Sequence, residues 1–363
     1  MGRKLSSDKT LFLAVLMLVL LGLVMVFSSS GITAIERYQN EYFFLVKQGV
    51  WVITGFALMG VLLYLPYPFF RRPIVVYGML TLSVALLTAA LFLPVVNRTH
   101  RWIRLAGFSL QPSEFAKLGL IFFLAYWLNK QRSNIKLPKS TLIPCGLITM
   151  VFCVLTYLEP DFGAAVTMAF IAGTMFFLGG VPMKYLAALS SLGLPAAAYM
   201  LLQAGYRKER LFAFLNPHED PLGSGFQILQ SLIAVGKGGV LGGGLGESTQ
   251  KLYYLPYAYT DFIYAVIGEE LGLIGCIGTL VLFLVILWRG MRAASLAPDF
   301  HGGLLAAGLT AMIVSQGLIN MSVVLGLLPT KGISLPFVSF GGSSLLANML
   351  AVGILLNVSQ HST

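Results

Sequence analysis

The stretch YLPYAYTDFIYAVIGEELG places Asp261 at the mouth of an apolar run that goes on to enclose Glu269 and Glu270. An ionised carboxylate beside basic groups can take a proton from a hydroxyl, so Asp261 is the first candidate for chemistry. On a continuous helix Glu269 lies about 12 Å deeper and about 80° around the axis, and Glu270 faces nearly the opposite way. The three acids therefore do not form a carboxylate dyad. Asp261 is expected in the first helical turn, open to water, where the helix dipole favours its ionised form. Glu269 and Glu270 read as hydrogen-bonding groups inside a helix bundle.

Basic residues with no obvious structural duty accompany this acid. Arg98, Arg101 and Arg104 precede QPSEFAK, in which Pro112 suits a first helical turn and Glu114 its positive end. Lys117 follows Glu114 by three residues on the same face, so the two can form an ion pair, or Lys117 can meet a phosphate. In LPTKGISLPFVSFGGSS, two prolines break the helix and the residues around Ser343 expose amides and hydroxyls near Lys331. That arrangement suits either an anion or a tight re-entrant turn. In GFQILQSLIAV, Phe226, Leu229 and Ile233 share one helical face, and Gln227, Gln230 and Ser231 another. Gln227 and Gln230 then either grip a polar substrate or sit on a helix packed along the membrane interface. The following GKGGVLGGGLGES closes no nucleotide-binding pattern and reads as a flexible loop that lets a large ligand approach.

The elements that must position these residues are set by composition. The chain is 57% hydrophobic and 10% charged, with a mean hydropathy of +0.83. A soluble domain carries about 25% charged residues, so this is a membrane protein. Continuously apolar runs at 10–28, 45–65, 74–96, 112–128, 142–158, 162–180, 185–203, 262–288, 303–325 and 341–358 predict an all-α polytopic fold with about ten transmembrane helices. Residues 1–363 then form a single transmembrane domain with a long outer loop, 204–260, between helices seven and eight. With both termini cytoplasmic, the inner segments carry twelve Lys and Arg against Asp8 and Asp299, a balance equal to the whole net charge of +10. The basic excess thus reports topology, and no nucleic-acid partner is needed to explain it. The three cysteines lie in apolar runs without paired spacing, and the four histidines are scattered. No metal site is expected from either.

Taken together, YLPYAYTDFIYAVIGEELG, QPSEFAK, DPLGSGFQILQS and LPTKGISLPFVSFGGSS resemble the SEDS family of bacterial shape, elongation, division and sporulation proteins. The similarity covers essentially the whole chain, and AVIGEELG and LPTKG look more like the division branch than the elongation branch. The resemblance implies a peptidoglycan glycosyltransferase in the bacterial inner membrane, at the division septum, that polymerises lipid II. It also implies a class B penicillin-binding protein partner, an FtsI-like transpeptidase, among other divisome membrane proteins. Asp261, by its place in TDF, would be the essential carboxylate.

The residues fit such a reaction. Asp261 would deprotonate the acceptor GlcNAc 4-hydroxyl, which attacks the donor MurNAc anomeric carbon with inversion as undecaprenyl pyrophosphate leaves. Arg101, Lys117 and Lys331 would stabilise the departing pyrophosphate, and Glu114, Gln227, Gln230 and Ser343 complete the substrate-binding set. A divalent cation, Mg or Mn, could share that task. A lipid II flippase is the rival reading, but a carrier needs a polar path to both sides and the ligand-like charges gather on one. A scaffold without activity would tolerate any change at Asp261.

Overall fold

The computed structural model describes residues 7–94, 100–105, 108–203, 205–221, 223, 225–251, 255, 258–330 and 332–361. The helices are α1 (Lys9–Tyr38), α2 (Phe43–Tyr64), α3 (Pro73–Phe92), α4 (Pro112–Lys130), α5 (Ile143–Leu158), α6 (Phe162–Leu178), α7 (Met183–Gln203), α8 (Gly205–Leu215), α9 (Phe226–Gly238), α10 (Ile263–Ser295), α11 (Phe300–Val324) and α12 (Gly342–Gln360). A two-stranded antiparallel hairpin, β1 (Ile103–Leu105) and β2 (Phe108–Leu110), is inserted between α3 and α4, with Ile103 opposite Leu110. Composition alone does not announce it.

The bundle is apolar outside as well as inside. Ile74 is 81% exposed, whereas Glu270 is 1% exposed, an inversion that only a lipid surround makes favourable. Every expected apolar run falls on a helix. Among the described residues, seven helices are long and apolar enough to cross a membrane: α1, α2, α3, α5 with its lead-in from Pro138, α10, α11 and α12. Of the other expected spans, α6 is a shorter apolar helix of 17 residues, α4 carries Glu114, Lys117 and Lys130, and α7 carries Lys184, Ser190, Ser191 and Gln203. One buried apolar cluster extends from Leu11 of α1 to Val358 of α12.

Aspartates begin three of the helices. Asp8, Asp161 and Asp299 accept from the backbone amides of Leu11, Ala164 and Gly302 at 3.0, 3.1 and 2.8 Å, filling donors that a helix start leaves unsatisfied. Two of these caps also tie one end of the bundle together. Arg289 pairs with Asp8 at 2.6 Å and Arg71 with Asp299 at 3.0 Å, while the Asp8 amide donates to Ser359 Oγ at 3.3 Å. The start of α1, the α2–α3 turn, the α10–α11 turn and the end of α12 therefore share one face. The third cap, Asp161, belongs to the opposite face.

Residues 204–260 are more structured than a loop. They hold α8, whose basic residues Lys208 and Arg210 are exposed, and α9. The face of α9 that packs is Ile228, Ser231, Ala234 and Gly238, which corrects the expected grouping of Ser231 with the polar glutamines. Ser231 is buried and donates to the Val324 carbonyl of α11 at 3.0 Å. Gly238 lies so close to the Gly268 carbonyl that no Cβ fits between them.

The glycine-rich segment is also corrected, because it is held rather than open. Gly243 and Gly244 amides donate to the carbonyls of Glu269 and Glu270 at 2.9 and 3.0 Å, and the Leu273 amide donates to Gly239 at 2.9 Å. These bonds replace the internal ladder of α10 where it breaks at Gly272, whose φ of 64° and ψ of −160° are non-helical. A straight helix from Asp261 through Glu270 and beyond is therefore interrupted.

Candidate active site

Asp261 does not lie in the first turn of α10. Phe262 is the N-cap and Asp261 precedes it, in a turn held by its neighbours' backbone. Asn320 of α11 donates to the Asp261 carbonyl and to the Ile333 carbonyl, each at 2.7 Å. Ser339 donates to the Thr260 carbonyl at 2.6 Å and accepts from the Leu335 amide at 2.8 Å. The broken segment between α11 and α12 is thereby fastened to the residues flanking the carboxylate. Gly332 belongs to that segment, and a Cβ there would stand 3.0 Å from Asp261 Oδ2. Glycine at this position keeps the carboxylate accessible.

The expected helix-dipole stabilisation of the anion is outweighed. Asp261 is half-buried, and burial pushes its carboxyl up to about 6, opposed by Arg101 and Arg210 and reinforced by Asp161. It remains mostly ionised at neutral pH, yet is a stronger base than a solvated aspartate.

Asp161 and Arg101 form the neighbouring group. Arg101 Nε lies 3.8 Å from Asp161 Oδ2, and Arg101 donates from Nη2 to the Pro160 carbonyl. Gln111 Nε2 donates to Asp161 Oδ2 at 3.2 Å, and the Gln111 amide donates to Ser343 Oγ at 3.0 Å. Ser343 donates in turn to the Ser109 carbonyl at 3.1 Å. One network thus joins the hairpin, the start of α4, the α5–α6 turn and the start of α12. Arg101 and Ser343, far apart in sequence, belong to it together.

The other expected residues are placed differently. Lys117 donates to Glu114 Oε1 at 2.8 Å, and Gln316 of α11 donates to the same carboxylate at 3.4 to 3.5 Å. Lys117 is 1% exposed, which favours the structural of its two expected roles. Gln227 and Gln230 are half-buried on α9. Lys331 and Arg98 lie outside the described residues. Glu269 and Glu270 behave as expected of bundle groups. Glu269 accepts from Ser248 and from the Thr249 and Gln250 amides, with Lys237 at 3.3 Å, while Glu270 meets Ser28 at 2.6 Å and Lys251 at 2.9 Å. Their partners are distinct, so they are not a dyad.

Sequence reasoning missed Glu159, Asp161, Asn320, Gln316 and Gly332. A signal existed for the first two, since EPD is a three-residue link carrying two acids between two apolar runs. Asn320 and Gln316 carry no local signal, as single polar residues in a buried helix are indistinguishable by pattern from packing groups. Among the described residues, no three His, Cys, Asp or Glu gather as a metal-binding group.

The whole chain and its fold match known proteins. A sequence model described as "Cell cycle protein", covering FtsW, RodA and SpoVE, matches residues 8–363. The chain belongs to this FtsW/RodA/SpoVE family. It is 41% identical over 358 residues to the probable peptidoglycan glycosyltransferase FtsW of Geobacter sulfurreducens, covering 98% of this chain and 95% of that one. It is 42% identical over 365 residues to stage V sporulation protein E of Bacillus subtilis, covering 99% of both. Among solved structures, a chain from a peptidoglycan synthase complex described as coordinating polymerization and crosslinking superposes with a TM-score of 0.79 at 30% identity, covering 98% of each. The rod shape determining protein RodA of Thermus thermophilus gives a TM-score of 0.73 at 27% identity, covering 98% of this chain and 97% of that one. This FtsW/RodA/SpoVE chain therefore has relatives named for glycosyl transfer.

Proposed function

We infer that this FtsW/RodA/SpoVE protein is a peptidoglycan glycosyltransferase of cell division, polymerising lipid II at the outer face of the bacterial cytoplasmic membrane. The observation that carries this reading is the half-buried Asp261 carboxylate, poised near 6 with Arg101 and Arg210 as its opposing charges. Asp261 accepts the proton of the acceptor GlcNAc 4-hydroxyl, the oxygen forms a bond to the donor anomeric carbon, and the bond to undecaprenyl pyrophosphate breaks with inversion. Arg101, with Arg210 and Lys331, neutralises the departing pyrophosphate. Gln227, Gln230 and Ser343 serve the sugar and peptide, and Glu114 with Lys117 fixes the start of α4. A divalent cation would supply further charge to the pyrophosphate, and Asp261 and Asp161 are the oxygen donors available to it on this face.

The expected topology, about ten crossings with both termini in the cytoplasm, supports this chemistry at the outer face, beside a septal transpeptidase of the class B penicillin-binding type. The test is polymerisation of purified lipid II. Asp261→Asn keeps shape and loses basicity, so its rate should fall at least about 100-fold while unfolding is unchanged. A well-folded Asn variant at the wild-type rate ends the assignment. A variant that moves lipid II across vesicles while the wild type forms no polymer favours the flippase reading instead.

A further inference from the structure

At the end of the bundle that gathers the starts of α1 and α11, Asp8 and Asp299 are already engaged. Asp8 holds Arg289 at 2.6 Å, and Asp299 accepts from Tyr67, from the Gly302 amide at 2.8 Å and from Arg71 at 3.0 Å. Arg132 and Arg292, at the same end, have no acid within ion-pair distance among the described residues. Surplus positive charge at one end is what topology requires, and by itself marks no site. A cleft gives part of that charge a definite place.

The cleft is a cavity of about 460 Å³ between the ends of α6 and α10 and the start of α11, a size suited to a small ligand. Its walls are apolar at Leu178, Met291 and Leu304, and the charged residues lining it are Arg132 and the already paired Asp299. The Arg132 guanidinium lies over the Phe300 ring, 4.6 Å from its centre, and makes no hydrogen bond to the described residues. Stacking fixes the plane of the group and leaves its edge N–H donors free, the geometry that grips a phosphate with two parallel bonds. Phe177 and Trp288, on the helices that form the walls, are large exposed side chains of a surface that lipid covers. A water-soluble anion gains nothing from Leu178 and Met291, whereas a phospholipid brings a phosphate and an acyl chain together.

We propose that this cleft binds an anionic phospholipid of the adjacent leaflet, the cytoplasmic one on the expected orientation, with its phosphodiester on Arg132 and its glycerol and first methylenes against Leu178 and Met291. The site is on the face opposite Asp161 and does not depend on the glycosyl-transfer reading.

The full-length protein in detergent, titrated with phosphatidylglycerol or phosphatidylcholine, tests this by native mass spectrometry of bound lipid and by thermal unfolding. Phosphatidylglycerol should bind at least about tenfold more tightly than phosphatidylcholine and raise the melting temperature as its concentration rises. Arg132→Gln should weaken phosphatidylglycerol binding roughly tenfold and leave phosphatidylcholine binding unchanged. Ser295→Trp, at an exposed position lining the cleft, keeps every charge and should weaken binding as much by filling the space, so the outcome does not hang on the folding of one variant. Arg292→Gln, at an exposed basic residue outside the lining, should change binding less than about twofold. Equal losses in Arg132→Gln and Arg292→Gln, undiminished binding in Ser295→Trp, equal affinity for the two lipids, or an equal rise in melting temperature with inorganic phosphate overturns the proposal.

Discussion

Lys117 and Glu114 form a buried ion pair open to two roles, fixing the start of α4 or meeting a phosphate. Both lie below the surface at the start of α4, 2.8 Å apart, with Gln316 holding the second side of the carboxylate. Lys117→Met would leave Glu114 charged and unpaired, at a cost of about 3–5 kcal/mol, and Glu114→Gln combined with Lys117→Met should recover much of it. Unfolding in detergent measures both. Lipid II binding by the folded double variant then separates the roles, because a phosphate contact predicts roughly tenfold weaker binding and a helix-fixing pair predicts no change. Arg101 differs in being 25% exposed at its side chain and only loosely paired. That makes it the better candidate for an incoming anion.

At the scale of elements, the break in α10 is held by the glycine-rich segment that precedes it in the chain. The helix stops its own ladder at Gly272, and backbone groups of residues 239–244 take over. A side chain at Gly272 would run into the Gly242 amide and the Val240 carbonyl, and its backbone conformation is one that L residues rarely adopt. Gly272→Ala should therefore cost about 1–3 kcal/mol from the backbone alone, with the collision added. Gly278, farther along the same helix, meets nothing within 4 Å, so Gly278→Ala should be neutral or slightly stabilising. Equal melting points for the two variants would show that the glycine segment is not holding the break.

Orientation and assembly belong to the whole molecule. Ser109 of β2 and Ser295 at the end of α10 are both exposed and lie on opposite faces of the bundle. A cysteine at 109 should react with a membrane-impermeant maleimide from outside intact cells, and one at 295 only after permeabilisation. The reverse pattern would invert the topology and remove Asp261 from the outer face. Large apolar residues such as Ile53, Ile74 and Phe92 remain exposed on helices that offer surfaces for lipid or for a single-pass partner. Adding the transpeptidase should raise the polymerisation rate. If the protein alone is as fast as the complex, partner activation is wrong even where the glycosyltransferase assignment stands.

The helical membrane fold was legible from sequence because lipid imposes a one-dimensional rule: each crossing needs a continuous apolar run, and every such run became a helix. Asp261 was legible for a related reason, since a charge at the mouth of an apolar helix is costly and stands out. Its chemistry was not, because the balance between burial and the charges of Arg101, Arg210 and Asp161 depends on segments far apart in the chain. The same holds for the break at Gly272 and the binding of the glycine segment, where backbone groups pair without side chains and leave little trace in residue pattern. Glu159 shows the limit most clearly. Its type and its place between two helices are written in the sequence, but only tertiary packing buries both its oxygens and leaves them without a donor.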